Sequence, residues 1–453
     1  MREQAYANPN APAARAPALP SRATAATRAC HVAACVMVFI QTLYFFDIIT
    51  IFIEPSSSLN RFILFTSLLV ASVIALVKLP VTLKVLRIAW PIIPLLVWFW
   101  LTAFWSQFPD LVRHRSVAFA VAYISALGLA VGMRSPRGLE ISLFWGAIIV
   151  ILANIISLAF PDTSHSDIGI KGIHIHKNVA GFVAIMCGVI MAFFIPQQRN
   201  YPLKFIAVAV MILAMVFLAL TKSKTNFFAL AVIIGMAPIY LLLVRGKPAT
   251  RPYFILTCLA CAGIFLMGAS GTKLSALGAL YGDPTLTNRV VIWDEVEAFI
   301  AQAPWKGNGF GAFWDAGGEW NLFPVGYYIF YNDPLIVNQS HNGYLDIMQH
   351  GGRIALILGC IVVAQTLCYS LMLVTNGGTL RRPKWIFCML HCMLIVIMTQ
   401  NLTESTMFFP SNSSSYFFLI LLAQTVRWKV DLDEATNQAA RLAKRKDSEA
   451  RRR

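Results

Sequence analysis

The sequence predicts an all-α, polytopic integral membrane protein with about 12 transmembrane helices and one large extramembrane loop. Of its 453 residues, 58% are hydrophobic and only 13% are charged, and the mean hydropathy is +0.66. Apolar stretches of about 20 residues, the length that a helix needs to cross the hydrocarbon core of a bilayer, recur along nearly the whole chain. The large loop is expected to contain short amphipathic helices.

The apolar stretches fall into two groups, separated by the large loop and flanked by two polar tails. The N-terminal tail is rich in Ala, Pro and Arg and lacks apolar periodicity, which predicts disorder. The predicted order is a disordered basic cytoplasmic tail (1–29), transmembrane helices 1–9 (30–269), the large loop (270–353), transmembrane helices 10–12 (354–427) and a basic cytoplasmic tail (428–453).

The formal net charge of +16 reflects membrane topology. Most Lys and Arg residues lie in the tails and in short loops on one side, so the positive-inside rule predicts that both termini are cytoplasmic. The basic excess also suits contact with anionic membrane lipids, and no nucleic acid partner is expected. The nine cysteines lie in or beside apolar segments, so no disulfide framework is predicted.

Several basic residues oppose this rule because they fall in short loops on the outer side. A cation on that side suits an anionic ligand, although headgroup contact or snorkelling also explains such residues. The candidates for ligand binding are Arg113, Arg115, Lys177 and Lys224.

The stretch "LTNRVVIWDEVEAFIAQ" in the large loop predicts a short amphipathic helix on the membrane surface, with Thr287 as its N-cap. Arg289 falls in the first turn, where a cation is unfavourable for the helix dipole but backbone N–H groups attract anions. Arg289 is therefore a candidate phosphate clamp. A surface arginine paired with a nearby acid is the alternative.

A Gly- and aromatic-rich stretch follows, "GNGFGAFWDAGGEWNLFPVGYYIFYND". Gly309 and Gly311 permit close approach of the backbone, and exposed rings can pack against sugar or lipid. An interfacial aromatic belt is the alternative.

"NQSHNGYLDIMQHGG" predicts a helix capped by Asn338 or Ser340 and broken at Gly351 and Gly352. His341 would lie in its first turn, in a partly dry site, where the dipole and desolvation favour an uncharged imidazole. Such a group can act as a general base toward a sugar hydroxyl, although a structural histidine is the alternative. Tyr344 is expected on the same helical face as His341 and is a candidate for substrate binding. His350, where the dipole favours protonation, is expected to be structural.

Taken in order, "SQFPDLVRHR", "GIHIHKNVAG", "LTKSKTNFFALAV", "TLTNRVVIWDEV", "GNGFGAFW", "SHNGYLDIMQHGGRIALI" and "NLTEST" resemble the O-antigen ligase and polymerase superfamily of bacterial envelope glycosyltransferases. The resemblance extends from about residue 105 to 406 and is strongest to the exopolysaccharide polymerase-like (ExoQ-type) branch. The order of the motifs is more specific than any one of them.

The resemblance implies inverting transfer of a glycan from an undecaprenyl pyrophosphate-linked oligosaccharide to an acceptor hydroxyl, at the periplasmic face of the bacterial inner membrane. It implies no cofactor and no metal. The acceptor would be another lipid-linked glycan or a lipid A core sugar, and a chain-length regulator is a possible partner.

Residue by residue, the family's loop histidine matches His341, its loop arginine matches Arg289 and an outer-loop arginine matches Lys224. Lysine keeps the charge at that position but lacks the bidentate fork of arginine. Arg113, Arg115 and Lys177 match further basic positions, and Glu404 and Asp346 are candidates for orienting His341 or binding sugar hydroxyls.

Three functions remain open from the sequence: an exopolysaccharide or O-antigen polymerase, an O-antigen ligase that attaches polymer to lipid A core, and a polysaccharide transporter or flippase. Twelve spans are ordinary for a transporter. Few ionisable residues lie in the predicted spans, Asp47 being the main exception, and the halves lack matching Gly- or Pro-broken helices. These features favour the transferases.

Overall fold

The computed structural model describes residues 25–53, 57–133, 135–166, 169–245, 250–280, 289–314, 339–380, 384–410 and 412–452. These residues form a helical membrane protein, which confirms the predicted fold class. The proposed caps Thr287 and Asn338 lie outside the described residues. The same holds for most of the N-terminal tail and most of the Gly- and aromatic-rich stretch.

In the first half of the chain, the described residues form helices joined by short connections. Their bounds are α1 (Ala25–Phe45), α2 (Ile48–Phe52), α3 (Ser58–Val77), α4 (Leu79–Ile88), α5 (Ile92–Leu101), α6 (Pro109–Gly132), α7 (Pro136–Ser157) and α8 (Pro161–Ser164). A two-residue antiparallel hairpin follows, with strands β1 (His165–Ser166) and β2 (Gly169–Ile170).

The second half continues the bundle and includes two shorter helices beside its end. Their bounds are α9 (Lys177–Phe194), α10 (Tyr201–Thr221), α11 (Lys224–Arg245), α12 (Thr250–Gly268), α13 (Gly271–Leu280), α14 (Arg289–Gln302), α15 (Gly343–Asn376), α16 (Lys384–Gln400) and α17 (Ser413–Arg452).

Local sequence explains where several helices begin. Ser57 accepts a hydrogen bond from the backbone N–H of Asn60, and Asn200 accepts one from Leu203, so each satisfies a donor that the first turn leaves unpaired. Pro109 and Pro136 stand in the first turns of α6 and α7, where the missing N–H costs nothing.

Among the described residues, eight helices are both long and apolar enough to cross a membrane, and the pair Leu79–Ile88 and Ile92–Phe104, bent by 79°, makes a ninth if it is one span. Two further apolar helices, Ile255–Gly268 and Lys384–Gln400, are shorter. These helices agree with a polytopic membrane protein, and the figure of about 12 spans stays a prediction.

Helix α9 lies at the centre of the bundle, where it packs against α7, α10, α11 and α16. In its span 72% of residues are buried, against 17% for α3 and for α11, so those two lie at the periphery. Exposed large side chains such as Phe62 and Phe65 on α3 suit contact with lipid tails.

The end of the bundle at which α9 and α15 begin and α16 ends is called here the loop-rich end. Helix α14 packs there against α13 and α15 and buries Ile292, Val296 and Ile300, members of its predicted apolar face. That face therefore contacts protein, and the position of α14 at the membrane surface stays a prediction. Phe310 and Phe313, expected to be exposed rings, are fully buried.

Glycines shape this end of the bundle. The predicted break at Gly351 and Gly352 is confirmed, because both residues leave helical geometry within α15 and Gly352 has φ 68°. Gly309 allows the close approach that was predicted, since a Cβ there would lie 2.4 Å from the Ser106 hydroxyl. At Gly352 a Cβ would lie 2.2 Å from the backbone of Trp305.

Candidate functional site

The carboxylate of Glu404 joins the main candidate residues at the loop-rich end. Its Oε1 accepts hydrogen bonds from Arg289 Nη2 at 2.6 Å and from Asn178 Nδ2 at 2.9 Å. Its Oε2 lies 3.0 Å from His341 Nδ1. One buried carboxylate therefore holds the guanidinium and the imidazole together.

Four separate elements deliver these side chains. Arg289 is the first residue of α14, Asn178 lies in the first turn of α9, and His341 stands just before α15. Glu404 belongs to the turn that follows α16. Because the loop-rich end gathers these elements, residues as far apart as Asn178 and Glu404 meet.

His341 is not in the first turn of its helix, contrary to the prediction. The N-cap is Asn342, whose side chain accepts from the N–H groups of Tyr344 and Leu345, so neither Asn338 nor Ser340 caps α15. His341 precedes this cap with φ 52°, in the left-handed region that few residues other than glycine adopt. His341 is therefore not placed by a first helical turn, and its charged neighbour is the carboxylate of Glu404.

The left-handed conformation of His341 is held from both sides. Ser340 O accepts from Trp293 Nε1 at 3.0 Å, and the Ser340 hydroxyl donates to Asn342 O at 2.7 Å. Asn342 Nδ2 donates to Gly268 O at 2.8 Å. An unfavourable backbone conformation persists only where its surroundings enforce it, and such residues cluster at functional sites.

Asp346 is fully buried and stabilises the two segments that contain His341 and Glu404. It accepts from Trp314 Nε1 at 2.8 Å, from the Ser340 N–H at 3.3 Å and, through a short hydrogen bond, from the Ser405 hydroxyl. Ser340 precedes His341 and Ser405 follows Glu404. Asp346 therefore positions both residues without contacting either.

The electrostatics of the cluster favour a charged Glu404. Burial raises the pKa of the Glu404 carboxyl, but the charges of Arg289, His341 and His176 outweigh burial and lower that pKa to about 2. Burial also lowers the pKa of His176; the carboxylate of Glu404 opposes that shift, whereas His341 and Arg289 add to it. The site thus holds an ionised carboxylate beside the imidazole of His176, whose pKa is lowered.

The cluster opens into a cavity of about 690 Å³, called here the larger cavity, whose polar lining includes His176, His341, Gln400 and Glu404. The His341 side chain is 30% exposed. Its Nδ1 faces Glu404, and its Nε2 makes no hydrogen bond to the part of the chain that the structure describes. If Nδ1 carries the hydrogen, Nε2 has a lone pair available to a group in the cavity.

A group of lysines lies beside the cluster. Lys177 is within electrostatic range of Lys224, Arg289 and Lys222. The start of α11 is also linked to the site, because the Ser223 hydroxyl donates to Asn178 Oδ1 at 2.9 Å. An anion that reached this side of the cavity would meet several positive charges.

Comparison with known proteins finds one family and one curated protein that resemble this chain. The family model described as O-Antigen ligase matches residues 176–360. The exopolysaccharide production protein ExoQ of Rhizobium meliloti (strain 1021) is 25% identical over 275 residues, which cover 58% of this chain and 61% of that protein. Both comparisons agree with the resemblance of this chain to the O-antigen ligase and polymerase superfamily. It spans about three fifths of the length of the curated relative that it matches.

The superfamily match covers most of the cluster. Arg289, His341, Asn178 and Lys224 lie within the matched residues 176–360, whereas Glu404 lies 44 residues beyond them. The carboxylate that joins the cluster therefore comes from outside the matched segment.

Three predicted binding residues are buried or bonded to other protein groups. Tyr344 is fully buried and its hydroxyl donates to Met398 O at 2.8 Å, so its assignment to the substrate site is not supported. Arg113 pairs with Asp110 at 2.8 Å on the exposed surface. Arg115 lines the cavity, but its Nη1 donates to the backbone oxygens of Gly311 and Trp314, at 3.1 Å for Trp314.

His350 is fully buried, in keeping with the structural role expected of it, and it sits between the rings of Phe310 and Phe409. The expectation that its protonation is favoured does not fit this surrounding, because burial between apolar rings penalises a charged imidazole.

Three residues at or beside this site were missed from the sequence, namely Asn178, His174 and His176, which lines the larger cavity. Asn178, which links Glu404 to Ser223, lies within the quoted motif "GIHIHKNVAG", where only the basic residue was singled out. His174 lies in the same motif and contacts Asp47. The signal for Asn178 in the sequence was its position directly after a basic residue at the start of a helix. Within the described ranges, no three His, Cys, Asp or Glu side chains gather closely enough to hold a metal ion.

Proposed function

We propose that this protein transfers a glycan from undecaprenyl pyrophosphate to an acceptor sugar hydroxyl, as a polymerase of an envelope polysaccharide. The observation that carries the proposal is the Arg289–Glu404–His341 cluster, of which Glu404 and His341 line a cavity of about 690 Å³. It offers a base and cations in one place, which is the chemistry that displacement of a diphosphate by a hydroxyl requires.

In the proposed reaction His341 is the general base. Glu404 accepts a hydrogen bond from Nδ1–H, which leaves the lone pair of Nε2 for the acceptor hydroxyl. As the hydroxyl oxygen forms a bond to the anomeric carbon, its proton moves to Nε2. The bond between that carbon and the diphosphate oxygen breaks on the opposite face, and the configuration inverts.

The leaving diphosphate keeps the electron pair of the broken bond and needs positive charge around it. Arg289 donates from Nη2 to Glu404, and its remaining guanidinium N–H groups can bind phosphate oxygens. Lys177, Lys224 and Lys222 contribute further positive potential, since their charges lie within range of one another. Fixed charges of this kind stabilise the transition state most where water is excluded.

A ligase that attaches finished polymer to a lipid A core sugar is the second candidate. The description of the matched family model favours it, whereas the name of the curated relative, a protein of exopolysaccharide production, favours polymerisation. Both reactions use the same cluster and the same kind of donor. They differ in the acceptor alone, so the acceptor is the variable that the experiment must change.

The test is transfer by purified protein in nanodiscs, supplied with a lipid-linked repeat unit and either a second repeat unit or a lipid A core acceptor. Wild-type protein is expected to lengthen the repeat and to release undecaprenyl pyrophosphate. His341→Ala should lower the rate about 100-fold or more, because general bases contribute roughly 10²–10⁴-fold. Growth on the core acceptor alone would identify the ligase.

The matched control is His114→Ala, which removes an exposed imidazole near the start of α6. It should leave the rate within about twofold, since surface substitutions away from a site change little. Loss of transfer in His176→Ala with full activity in His341→Ala would overturn the assignment of the base. Movement of the lipid-linked repeat across the bilayer without release of diphosphate would establish a flippase instead.

The proposal includes an orientation: the cluster faces the periplasm and both termini face the cytoplasm. Cysteines introduced at Asp110 and at Ser448 report on the two ends of the bundle, since Asp110 is 93% exposed and Ser448 lies on the exposed end of α17. A membrane-impermeant maleimide applied to intact spheroplasts should label the cysteine at Asp110 and spare the one at Ser448. The reverse labelling would contradict the orientation.

A further inference from the structure

A second cavity, of about 390 Å³ and called here the smaller cavity, lies at the loop-rich end, where residues of α1, α3, α6 and α17 line it. It is next to the larger cavity, and the two share six lining residues. The shared residues are Asp47, Arg115, Phe409, Pro410, Asn412 and Ser413. A molecule that occupied the smaller cavity would therefore reach the edge of the larger one.

Asp47, at this junction, is held in an unusual way. It has φ 58° and forms the bend between α1 and α2, and its side chain is 22% exposed. The left-handed region is uncommon for residues other than glycine but is tolerated by Asp and Asn. At this bend the helix is interrupted, and the carboxylate of Asp47 faces both cavities.

A buried relay fixes the hydrogen bonding of Asp47. Asn154 Oδ1 accepts from the Ile173 N–H at 3.2 Å, so Asn154 Nδ2 is the group 3.2 Å from His174 Nε2. Nδ2 can only donate, and Nε2 must therefore accept, which assigns the hydrogen of His174 to Nδ1. Nδ1 lies 2.9 Å from Asp47 Oδ2 and donates to it.

The smaller cavity has polar and aromatic lining groups of its own. Asp47 and Arg115 line both cavities, whereas the amide of Asn60, the hydroxyls of Tyr44 and Tyr416 and the ring of Phe119 line the smaller one alone. Arg115 donates from Nη1 to backbone oxygens. Carboxylate, amide and hydroxyl groups beside aromatic rings suit the hydroxyls and C–H faces of a sugar.

We propose that the smaller cavity is a saccharide subsite that binds the acceptor glycan, with Asp47 accepting hydrogen bonds from its sugar hydroxyls. The assignment rests on the proposed function, because it is the diphosphate of the donor that requires the cations beside the larger cavity. The acceptor sugar enters from the opposite side and presents its hydroxyl at the shared boundary. His174 is a positioning residue for Asp47 and does not touch the sugar.

The experiment uses full-length protein in nanodiscs with two separate probes. The first is the repeat oligosaccharide freed from its lipid diphosphate by mild acid and tagged at the reducing end, offered as acceptor at saturating donor. The second is inorganic pyrophosphate, a competitor for the donor site. Asp47→Asn keeps the shape of the side chain and suits the left-handed backbone, so the fold should survive.

Asp47→Asn is expected to raise the KM for the oligosaccharide about 10- to 100-fold, since a hydrogen bond to a charged group is lost. Its KM for the lipid-linked donor and its inhibition by pyrophosphate should stay within about twofold of wild type. Asp110→Asn is the matched control, as it removes an exposed carboxylate outside both cavities. It should change none of these values.

A second variant tests the cavity without altering Asp47. Ala118 lines the smaller cavity alone and is exposed, so Ala118→Phe adds bulk there at little cost to packing. It too should raise the KM for the oligosaccharide and spare inhibition by pyrophosphate. Unchanged KM for the oligosaccharide in both variants overturns the subsite, and an increase confined to the lipid-linked donor overturns its assignment to the acceptor.

The two proposals fail in different ways. If wild-type protein transfers nothing, the proposed function falls, and equilibrium binding of the tagged oligosaccharide then decides the subsite by itself. Binding that weakens in Asp47→Asn and not in Asp110→Asn would still establish a saccharide site. Equal binding to all three proteins would exclude it.

Discussion

Replacement of Glu404 by Gln tests the cluster most directly, because it changes one atom of the bridging group. Arg289 and Asn178 both donate to Oε1, so the glutamine carbonyl takes that position and its NH₂ group faces His341 Nδ1. An NH₂ group only donates, and Nδ1 must then accept. The hydrogen of the imidazole moves to Nε2, which can no longer take a proton from the acceptor.

The size of the effect follows from the electrostatics of Glu404. Its pKa lies at about 2, compared with an ordinary value of 4.5, despite a burial that acts in the opposite direction. A difference of that size corresponds to about 3 kcal/mol of favourable interaction with its neighbours. If Glu404 gains an interaction of that size with the imidazole as His341 takes up the proton, its loss lowers kcat by about 100-fold.

The assay is kcat for glycan transfer by purified Glu404→Gln in nanodiscs, with Asp294→Asn as a control that removes an exposed carboxylate from α14. The control should keep full activity. A kcat within about threefold of wild type for Glu404→Gln would refute the argument, since Nε2 would then not be the base.

The same carboxylate predicts how stability depends on pH. Its pKa in the folded protein is depressed, so its contribution is complete above its ordinary value of 4.5 and is lost as pH falls toward about 2. The thermal midpoint of wild type should therefore fall more steeply between pH 4.5 and 2 than that of Glu404→Gln. Parallel curves for the two proteins would contradict this account.

The remaining predictions concern three further positions. Arg289→Lys keeps the charge but loses the fork, so the KM for the donor should rise about tenfold in steady-state assays. Asp346→Asn should lower kcat about tenfold, shift its pH profile and leave the acceptor KM unchanged, because it displaces His341 and Glu404 indirectly; an unaltered pH profile would indicate a merely structural role. Gly352→Ala should destabilise the fold by several kcal/mol, measured as a lower thermal midpoint, because φ is 68° and Trp305 fills the space, while Gly263→Ala, with nothing within 4 Å, should not.

The sequence was sufficient for the helices and for the break at Gly351 and Gly352, because apolar periodicity and backbone freedom are local properties. It also located Arg289 at the start of a helix. It did not show the bend of 79° between Leu79–Ile88 and Ile92–Phe104, where Pro91 precedes α5. A count of apolar residues does not report the direction of the chain.

The architecture of the site was beyond local patterns for a different reason. Glu404 meets Arg289 across 115 residues of chain and His341 across 63, and no spacing rule connects such positions. The left-handed conformation of His341 depends on contacts from Trp293 and Asp346, which the sequence shows only as a ring and an acid. Sequence patterns found candidate groups, and only tertiary packing determined their partners.

Helix α17 runs unbroken from Ser413, at the mouth of both cavities, to Arg452. Forty residues of α-helix measure about 60 Å, roughly twice the thickness of the hydrocarbon core. A rod of that length carries force from one end to the other with little loss. A molecule that binds the arginine-rich C-terminal end of this helix is therefore connected, through one continuous helix, to a wall of the larger and smaller cavities.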